Sequence, residues 1–191
     1  MPTTASPRAN PRQNRGPAAA ADNRRALIAA AREVYAEGGL GAPFSAVAKR
    51  AGVGQGSLYR HFPDRTALAV AVFEDNVRDL EEYTSDSDRT IDDLLDRVVD
   101  QAVVSTAFIE LITADLSDAR VAAMGVRFHE LVDRLVARDR AVGRVGRHVE
   151  TEDVTLATGM LATELARADP ALRPDVARRA RALFAAAFAP R

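Results

Sequence analysis

Apolar residues recur along the chain at intervals of three and four residues, which places them on one face of an α-helix. The first helix is predicted to begin near Asp22 or Asn23, either of which can cap it, and to end at Gly38-Gly39. No alternating strand pattern longer than a few residues is present, and no internal repeat is found. The pattern therefore predicts an all-α fold.

Proline, glycine and capping residues divide the rest of the chain into further helices. Two short helices are predicted after Pro43 and over about residues 55–61, with a turn at Gly52-Val53-Gly54 between them. Asp64 is predicted to cap a long fourth helix, and Thr90 with Asp93 resembles a capping box that opens the fifth. The remaining helices are predicted over about residues 119–142, 153–168 and 174–188.

Composition excludes several classes of protein. Hydrophobic residues make up 47% of the 191 residues and aromatic residues only 5%, which favours a helical core rich in alanine. The absence of cysteine excludes disulfides, thiolate metal sites and thiol catalysis. No segment approaches the roughly 20 apolar residues of a membrane helix, and residues 1–21 lack the apolar stretch of a secretory signal. We therefore expect a cytoplasmic protein.

Charge is unevenly distributed along the chain. Residues 1–63 carry nine basic and three acidic side chains, whereas residues 64–191 carry seventeen basic and twenty-four acidic ones. A basic first third joined to an acidic remainder suggests that the first third faces a polyanion. Part of this excess comes from Arg8, Arg12 and Arg15, which lie in a proline-rich stretch predicted to be a flexible arm.

The segment Phe44–Phe62, FSAVAKRAGVGQGSLYRHF, carries the functional signal. A helix-turn-helix needs a small residue where its helices cross, a turn residue that tolerates positive φ, and apolar residues that anchor its second helix. Ala48 and Gly52 fit the first two requirements. The anchors are predicted to be Val47, Val53 and Leu58.

The sequence here resembles the tetracycline-repressor (TetR) family. The resemblance spans about residues 23–75 and rests on four segments: AEGG at 36–39, AKRAGV at 48–53, GSLYRHF at 56–62, and Asp64-Arg65-x-x-Leu68, where the family usually has lysine second. It implies a flexible basic arm at residues 1–21, a three-helix DNA-binding domain at 22–66, and a helical-bundle domain for ligand binding and dimerisation at 67–191. One departure is Ala42-Pro43, where the family usually has a threonine that caps the second helix and touches phosphate.

The resemblance implies that residues 55–61 lie in the major groove of DNA. Gln55 and Arg60 are the candidate base readers, because glutamine pairs with adenine and arginine with guanine through two hydrogen bonds. The candidate phosphate contacts are Lys49, Ser57, Tyr59, His61 and Arg65.

Each of these assignments has an alternative. Tyr59 also fits half-buried packing, His61 fits a capping or packing role, and Lys49 with Arg50 fits a solvated face. The basic arm, taken as Arg8, Arg12, Arg15, Arg24 and Arg25, fits minor-groove contact, although salt-sensitive nonspecific affinity is the preferred interpretation.

A palindromic operator requires a symmetric dimer, and the resemblance implies that the last two long helices form it. The candidate interface residues are Ala157, Gly159, Leu161, Leu183, Phe184, Ala187 and Phe188. The alternative is that this stripe packs within one subunit. The candidate ligand-binding residues, each also consistent with ordinary core packing, are Phe73, Val77, Val104, Phe108, Leu111, Met124 and Phe128. Candidate polar groups for the ligand are Thr106, Glu110, Thr113 and His129.

Enzyme and metal functions find no support in the sequence. The segment His129-Glu130-x-x-Asp133 lacks the second histidine of a zinc-protease helix, and no serine has an obvious histidine and aspartate partner. We therefore expect no catalytic residues, metal or cofactor. The sequence predicts a homodimeric transcriptional regulator that binds double-stranded DNA at a palindromic operator, as a repressor released by a small, largely apolar ligand. The alternative is a helical scaffold or partner-binding protein that does not read DNA specifically.

Overall fold

The computed structural model describes the backbone of residues 16–113 and 119–191, and within it the side chains of residues 18–39, 41–102 and 119–191. The described residues form helices and no strands, which confirms the all-α fold. The helices are α1 (Gly16–Gly38), α2 (Phe44–Arg50), α3 (Gln55–His61), α4 (Arg65–Thr84), α5 (Ile91–Thr113), α6 (Ala119–Ala141), α7 (Thr151–Arg167) and α8 (Arg173–Phe188). None of the described helices has the length and apolarity that a membrane span requires.

The first helix begins earlier than predicted. It starts at Gly16 rather than near Asp22, so residues 16–21 are helical. The reason is local, because residues 18–21 are all alanine, the strongest helix former, and Pro17 suits the first turn of a helix. Arg8, Arg12 and Arg15 lie outside the described residues.

Helices α1 to α4 enclose the first of two hydrophobic cores. Leu27, Val47, Leu58 and Leu68 are fully buried there, one from each helix. Gly52 adopts φ +66° in the turn between α2 and α3, a backbone conformation that favours glycine. The amide of Val53 donates to the carbonyl of Ala48 at 3.0 Å and closes the turn. The predicted helix-turn-helix is therefore present.

Two predicted helix caps are confirmed. The carboxylate of Asp64 accepts a hydrogen bond from the amide of Ala67 at 2.7 Å, which caps α4. Thr90 and Asp93 form the predicted capping box of α5, with the amide of Thr90 donating to the Asp93 carboxylate at 2.9 Å and the amide of Asp93 donating to the Thr90 hydroxyl at 3.2 Å. Both caps satisfy amide groups that a helix start leaves unpaired.

The second core lies among the C-terminal half of α4, the N-terminal half of α5 and helices α6, α7 and α8. Its most deeply buried side chains include Leu94, Leu131, Leu135, Leu161 and Leu165. Helix α4 runs continuously from the first core into the second, and Phe73 packs against both cores. The two cores are therefore joined by a shared helix and not by a flexible linker.

A buried carboxylate ties α6 to the start of α5. Asp139 is only 1% exposed, and its carboxylate accepts a hydrogen bond from the amide of Ile91 at 2.9 Å. The guanidinium of Arg144 donates to the same carboxylate at 3.1 Å. Asp139 thus gives the amide of Ile91, at the start of α5, a hydrogen-bond acceptor. Its contact with Arg144 holds the loop after α6 against α6.

We expect Asp139→Ala to lower the free energy of unfolding by about 1–3 kcal/mol, because the buried amide of Ile91 loses its acceptor. Urea denaturation followed by circular dichroism measures the change. The control is Glu130→Ala, an exposed carboxylate on the same helix, for which the change should stay within about 0.5 kcal/mol. Equal effects of the two substitutions would contradict the role given to Asp139.

Candidate nucleic-acid interface and internal cavity

Helix α3 is anchored on one side and open on the other. Leu58 is fully buried beneath it, while Gln55 and Arg60 are exposed on its outer surface. The Nε of Arg60 donates to the carbonyl of Gly56 at 3.2 Å, which keeps the arginine against its own helix. The two candidate base readers are thus both accessible on the second helix of the helix-turn-helix.

Tyr59 was considered from the sequence both as a phosphate contact and as a half-buried packing residue, and its position is compatible with both roles. Its ring meets the edge of Phe44 at a centroid distance of 5.5 Å and an angle of 77°, a favourable aromatic geometry. The residue nevertheless remains 52% exposed. Phe44 therefore fixes the orientation of a tyrosine that is available to a partner of α3. Ser57 and His61, by contrast, are half-buried.

Lys49 and Arg50 are adjacent in sequence but differ in their contacts. Arg50 donates to the carboxylates of Glu33 at 2.9 Å and Glu37 at 2.8 Å, joining α2 to α1. Hydrogen bonding to Glu37 and Glu33 raises the pKa of Arg50, and Arg50 in turn lowers the pKa of Glu37. The side chain of Lys49 is exposed and has no ion-pair partner among the described residues. Only Lys49 of this pair is available to an external phosphate.

The start of α4 is linked to the segment before α2. Arg65 donates to the carbonyl of Ala42 at 2.9 Å, and its guanidinium lies 5.9 Å from the ring centre of Tyr35. Burial raises the pKa of Tyr35, and the charge of Arg65 acts in the opposite direction. Pro43 occupies the N-cap position of α2, where the family usually has a capping threonine. No side-chain hydrogen bond caps α2 at this position.

Two arginines assigned to the basic arm are placed differently by the structure. Arg24 lies on α1 with its guanidinium 5.1 Å from the ring centre of Phe62 and 3.9 Å from the Glu74 carboxylate. Arg25 forms an ion pair with Asp22 one helical turn away. Both are helical residues, as the predicted start of the first helix near Asp22 requires, and both have partners in the chain. No local pattern in the sequence pairs Arg24 with α3 and α4.

An apolar cavity of about 310 Å³ lies between α4, α5, α6 and α7. Four of the predicted ligand-binding residues line it: Phe73, Val77, Met124 and Phe128. The side chains of Val104, Phe108 and Leu111, and of the polar candidates Thr106, Glu110 and Thr113, lie outside the described residues. His129, predicted as a polar ligand contact, is exposed on α6 and is not among the described lining residues.

Sequence reasoning missed the wall that α7 contributes. Thr155, Thr158, Gly159 and Ala162 line the cavity, although α7 was assigned entirely to dimer formation. These small side chains leave the space that the larger residues of α4 and α6 do not fill. Gly159 in particular has no heavy atom within 4 Å of the position that a Cβ would occupy.

A polar network borders the cavity and reaches the first core. Asn76 and Gln101 line the cavity, and the Nη2 of Arg32 on α1 donates to the side-chain oxygen of Asn76 at 2.9 Å. Gln101 donates to the carboxylate of Asp79 at 2.9 Å. Hydrogen bonding from Arg97 lowers the pKa of Asp79, while desolvation lowers the pKa of Arg32.

Comparison with known proteins identifies the family. Residues 27–72 match the family described as bacterial regulatory proteins, tetR family. Residues 27–72 therefore form a TetR-family DNA-binding domain. Regulators of this family are DNA-binding transcription factors and not enzymes. No curated protein gives a significant sequence match.

Solved structures of TetR-family regulators share the fold over nearly the whole chain. A TetR transcriptional regulator from Streptomyces coelicolor is similar at 24% identity and a TM-score of 0.66, covering 87% of this chain and 98% of that one. A TetR regulatory protein from Mycobacterium vanbaalenii is similar at 25% identity and a TM-score of 0.66, covering 90% and 98%. A TetR transcriptional regulator from Rhodococcus sp. RHA1 is similar at 26% identity and a TM-score of 0.55, covering 86% and 96%.

The residues predicted for the dimer interface differ in their exposure. Ala157, Leu161 and Phe188 are buried in the core of the single chain, as in the alternative that this stripe packs within one subunit. Leu156 and Met160, which the sequence analysis did not select, are 64% and 57% exposed beside Leu183. The predicted residues that remain at the surface are Gly159, Leu183 and Ala187, with Phe184 half-buried.

We expect Lys49→Gln and Arg50→Gln to have different effects, because only Arg50 has partners within the chain. Lys49→Gln should weaken DNA binding and lower the slope of log K against log salt by about one per protomer, without changing the Tm. Arg50→Gln should lower the Tm by loosening α2 from α1. Fluorescence anisotropy with a labelled duplex and thermal denaturation measure the two effects. A lower Tm for Lys49→Gln, or an unchanged salt slope, would contradict this assignment.

Proposed function

We propose that the protein is a homodimeric repressor that leaves a palindromic operator when a small, largely apolar ligand fills the internal cavity. The observation that carries this proposal is the path of α4. The helix begins beside the helix-turn-helix, where Arg65 contacts Ala42, and continues as a wall of the cavity through Phe73 and Val77. A change in the cavity therefore acts on the helix that supports the DNA-binding domain.

Operator reading is assigned to the exposed face of α3. Gln55 and Arg60 are the base readers in this proposal, since both are accessible and both can make two hydrogen bonds to a base edge. Lys49, Ser57, Tyr59, His61 and Arg65 are assigned to phosphates. For Arg65 this contact competes with its hydrogen bond to Ala42, which suits a residue that reports the position of α4.

Three contacts support coupling between the cavity and the DNA-binding domain. Phe73 lines the cavity and packs against both cores. Val121 and Met124 of α6 line the cavity and belong to the first core. Arg32 joins α1 to the cavity residue Asn76. A ligand that favours one arrangement of these side chains shifts the spacing of the recognition helices, and operator affinity changes accordingly.

The dimer contact with a second copy of this chain is assigned to the outward face of α7 and α8. Leu156, Met160 and Leu183 form an exposed apolar surface there, larger than scattered single residues, and it flanks a groove between the two helices. A twofold axis through this surface would pair two protomers and present two α3 helices to one operator. Thr155 and Gly159 line both the groove and the cavity, so a second copy seated there also covers the α7 side of the cavity.

The operator proposal is tested by a gel-shift titration against DNA flanking the protein's own gene, repeated at several salt concentrations. We expect saturable binding to one imperfect palindrome, and Arg60→Ala should weaken it by about 10-fold or more, because a bidentate arginine–guanine contact contributes about 1–3 kcal/mol. The control is Arg147→Ala, an exposed arginine in the loop after α6. Weak, sequence-blind binding that vanishes with modest salt would instead favour the helical scaffold.

The dimer proposal is tested by placing a charge on the α7–α8 face. We expect Met160→Arg to convert the dimer to monomer in analytical ultracentrifugation and to lower operator affinity, because a desolvated charge would face its own copy across the twofold axis. Val126→Arg is the matched control, since Val126 is similarly exposed at 59% but lies on α6. Loss of dimer with both variants, or with neither, would contradict this interface.

A further inference from the structure

Two threonines of α7 line the cavity, but their hydroxyl groups are in different situations. The hydroxyl of Thr158 donates to the carbonyl of Val154 at 2.7 Å, within its own helix. The hydroxyl of Thr155 is shielded from solvent and has no hydrogen-bond partner among the described residues. Threonine on a helix ordinarily bonds to the carbonyl four residues earlier, as Thr158 does.

An unpaired buried hydroxyl is unfavourable, because the hydration lost on folding is not replaced. Buried polar groups in proteins are nearly always paired, so an unpaired one at a cavity calls for an explanation. Threonine has two accessible χ1 positions on a helix, and a turn from one to the other exchanges the hydroxyl with the methyl group. Thr155 can therefore present its hydroxyl to a molecule in the cavity without any change in the backbone.

The other polar groups of the cavity wall are engaged within the protein. The side-chain oxygen of Asn76 accepts from Arg32, and the Nε2 of Gln101 donates to Asp79 and to the backbone carbonyl of Asn76. Arg32 and Arg97 are also each hydrogen-bonded to a carboxylate, that of Asp75 and that of Asp79 respectively. None of the described lining residues carries a charge.

We propose that the hydroxyl of Thr155 is the hydrogen-bonding anchor of the ligand, and that the ligand is a neutral, largely apolar molecule with one carbonyl or hydroxyl group. This inference rests on the ligand cavity of the proposed function. A charged ligand would lose its hydration among apolar side chains without gaining a counter-charge from the described lining residues. A neutral ligand buries its apolar body and pairs the Thr155 hydroxyl, which has no hydrogen-bond partner among the described residues.

The first test uses 6-propionyl-2-(dimethylamino)naphthalene, a neutral fluorophore whose emission moves to longer wavelength when its carbonyl accepts a hydrogen bond. We expect saturable binding to the full-length protein. Thr155→Val should weaken binding about 5- to 10-fold, the equivalent of about one hydrogen bond, and shift the bound emission to shorter wavelength. Thr158→Val is the matched control and should change the Kd less than about 2-fold, because its hydroxyl is already paired.

The second test concerns charge and uses two probes with the same aromatic skeleton. N-phenyl-1-naphthylamine is neutral, and 8-anilinonaphthalene-1-sulfonate adds a sulfonate. We expect the neutral probe to bind at least about 10-fold more tightly, because the sulfonate has to be desolvated. Sulfonate binding as tight as that of the neutral probe would overturn the assignment to neutral ligands.

The two threonines also predict opposite effects on stability in the absence of ligand. Thr155→Val replaces an unpaired hydroxyl with a methyl group and should raise the Tm by roughly 2–4 °C, whereas Thr158→Val removes a hydrogen bond and should lower it.

The proposal is overturned if the two substitutions weaken probe binding equally, if Thr155→Val leaves both probe affinity and emission unchanged, or if no neutral probe binds saturably. Gel shifts of the unsubstituted protein without probe separate the two proposals, because absent operator binding together with saturable probe binding counts only against the regulator function.

Discussion

The structure depends on one constraint, the continuity of α4. Its N-terminal half completes the core of the DNA-binding domain, and its C-terminal half forms a wall of the second core and of the cavity. The Asp64 cap fixes where the helix starts, and Phe73 packs where the two cores meet. In the proposed function, this helix, held at both ends, transmits displacement as a rigid element, so that the position of α3 would follow from what fills the second core.

The basic first third of the chain is less available to DNA than its formal charge suggests. Four arginines in this part of the chain, or directly after it, have partners within the chain. Arg24 and Arg32 pair with carboxylates that join α1 to α4, and Arg50 pairs with carboxylates that join α2 to α1. Arg65 donates to the Ala42 carbonyl and joins α4 to the segment before α2. The exposed side chains of Lys49 and Arg60, which have no ion-pair partner among the described residues, remain for a polyanion. Among the described residues, internal pairing therefore leaves these two side chains, on or next to α3, for the proposed phosphate and base contacts.

Small residues on α7 explain both the cavity and its chemistry. Gly159 and Ala162 face the larger side chains of α4 and α6, so the space between the helices stays unfilled. A ligand that occupies this space regains the dispersion contacts that the wall lacks. The same helix presents Leu156 and Met160 outward, which places the cavity directly behind the proposed dimer surface. In the proposed function, ligand binding and dimer geometry therefore share one helix.

The sequence by itself determined the features that depend on neighbours within a few residues. The helix-turn-helix, the Asp64 cap and the Thr90–Asp93 capping box were predicted correctly because each is a set of local hydrogen bonds and backbone angles. The all-α fold followed from periodicity, whereas the ligand-binding candidates were implied by the family resemblance. Even the early start of α1 has a local cause, the run of alanines at residues 18–21.

Only the tertiary structure decided which stripe of each helix faces inward. Helix α7 carries two apolar stripes, one with Leu161 and one with Met160, and both fit helical spacing. Packing against the second core buries the first and leaves the second exposed, a choice made by residues far away in sequence. The same holds for the partners of Arg32 and for the unpaired hydroxyl of Thr155, because hydrogen bonds between distant helices leave no pattern in the sequence of either helix.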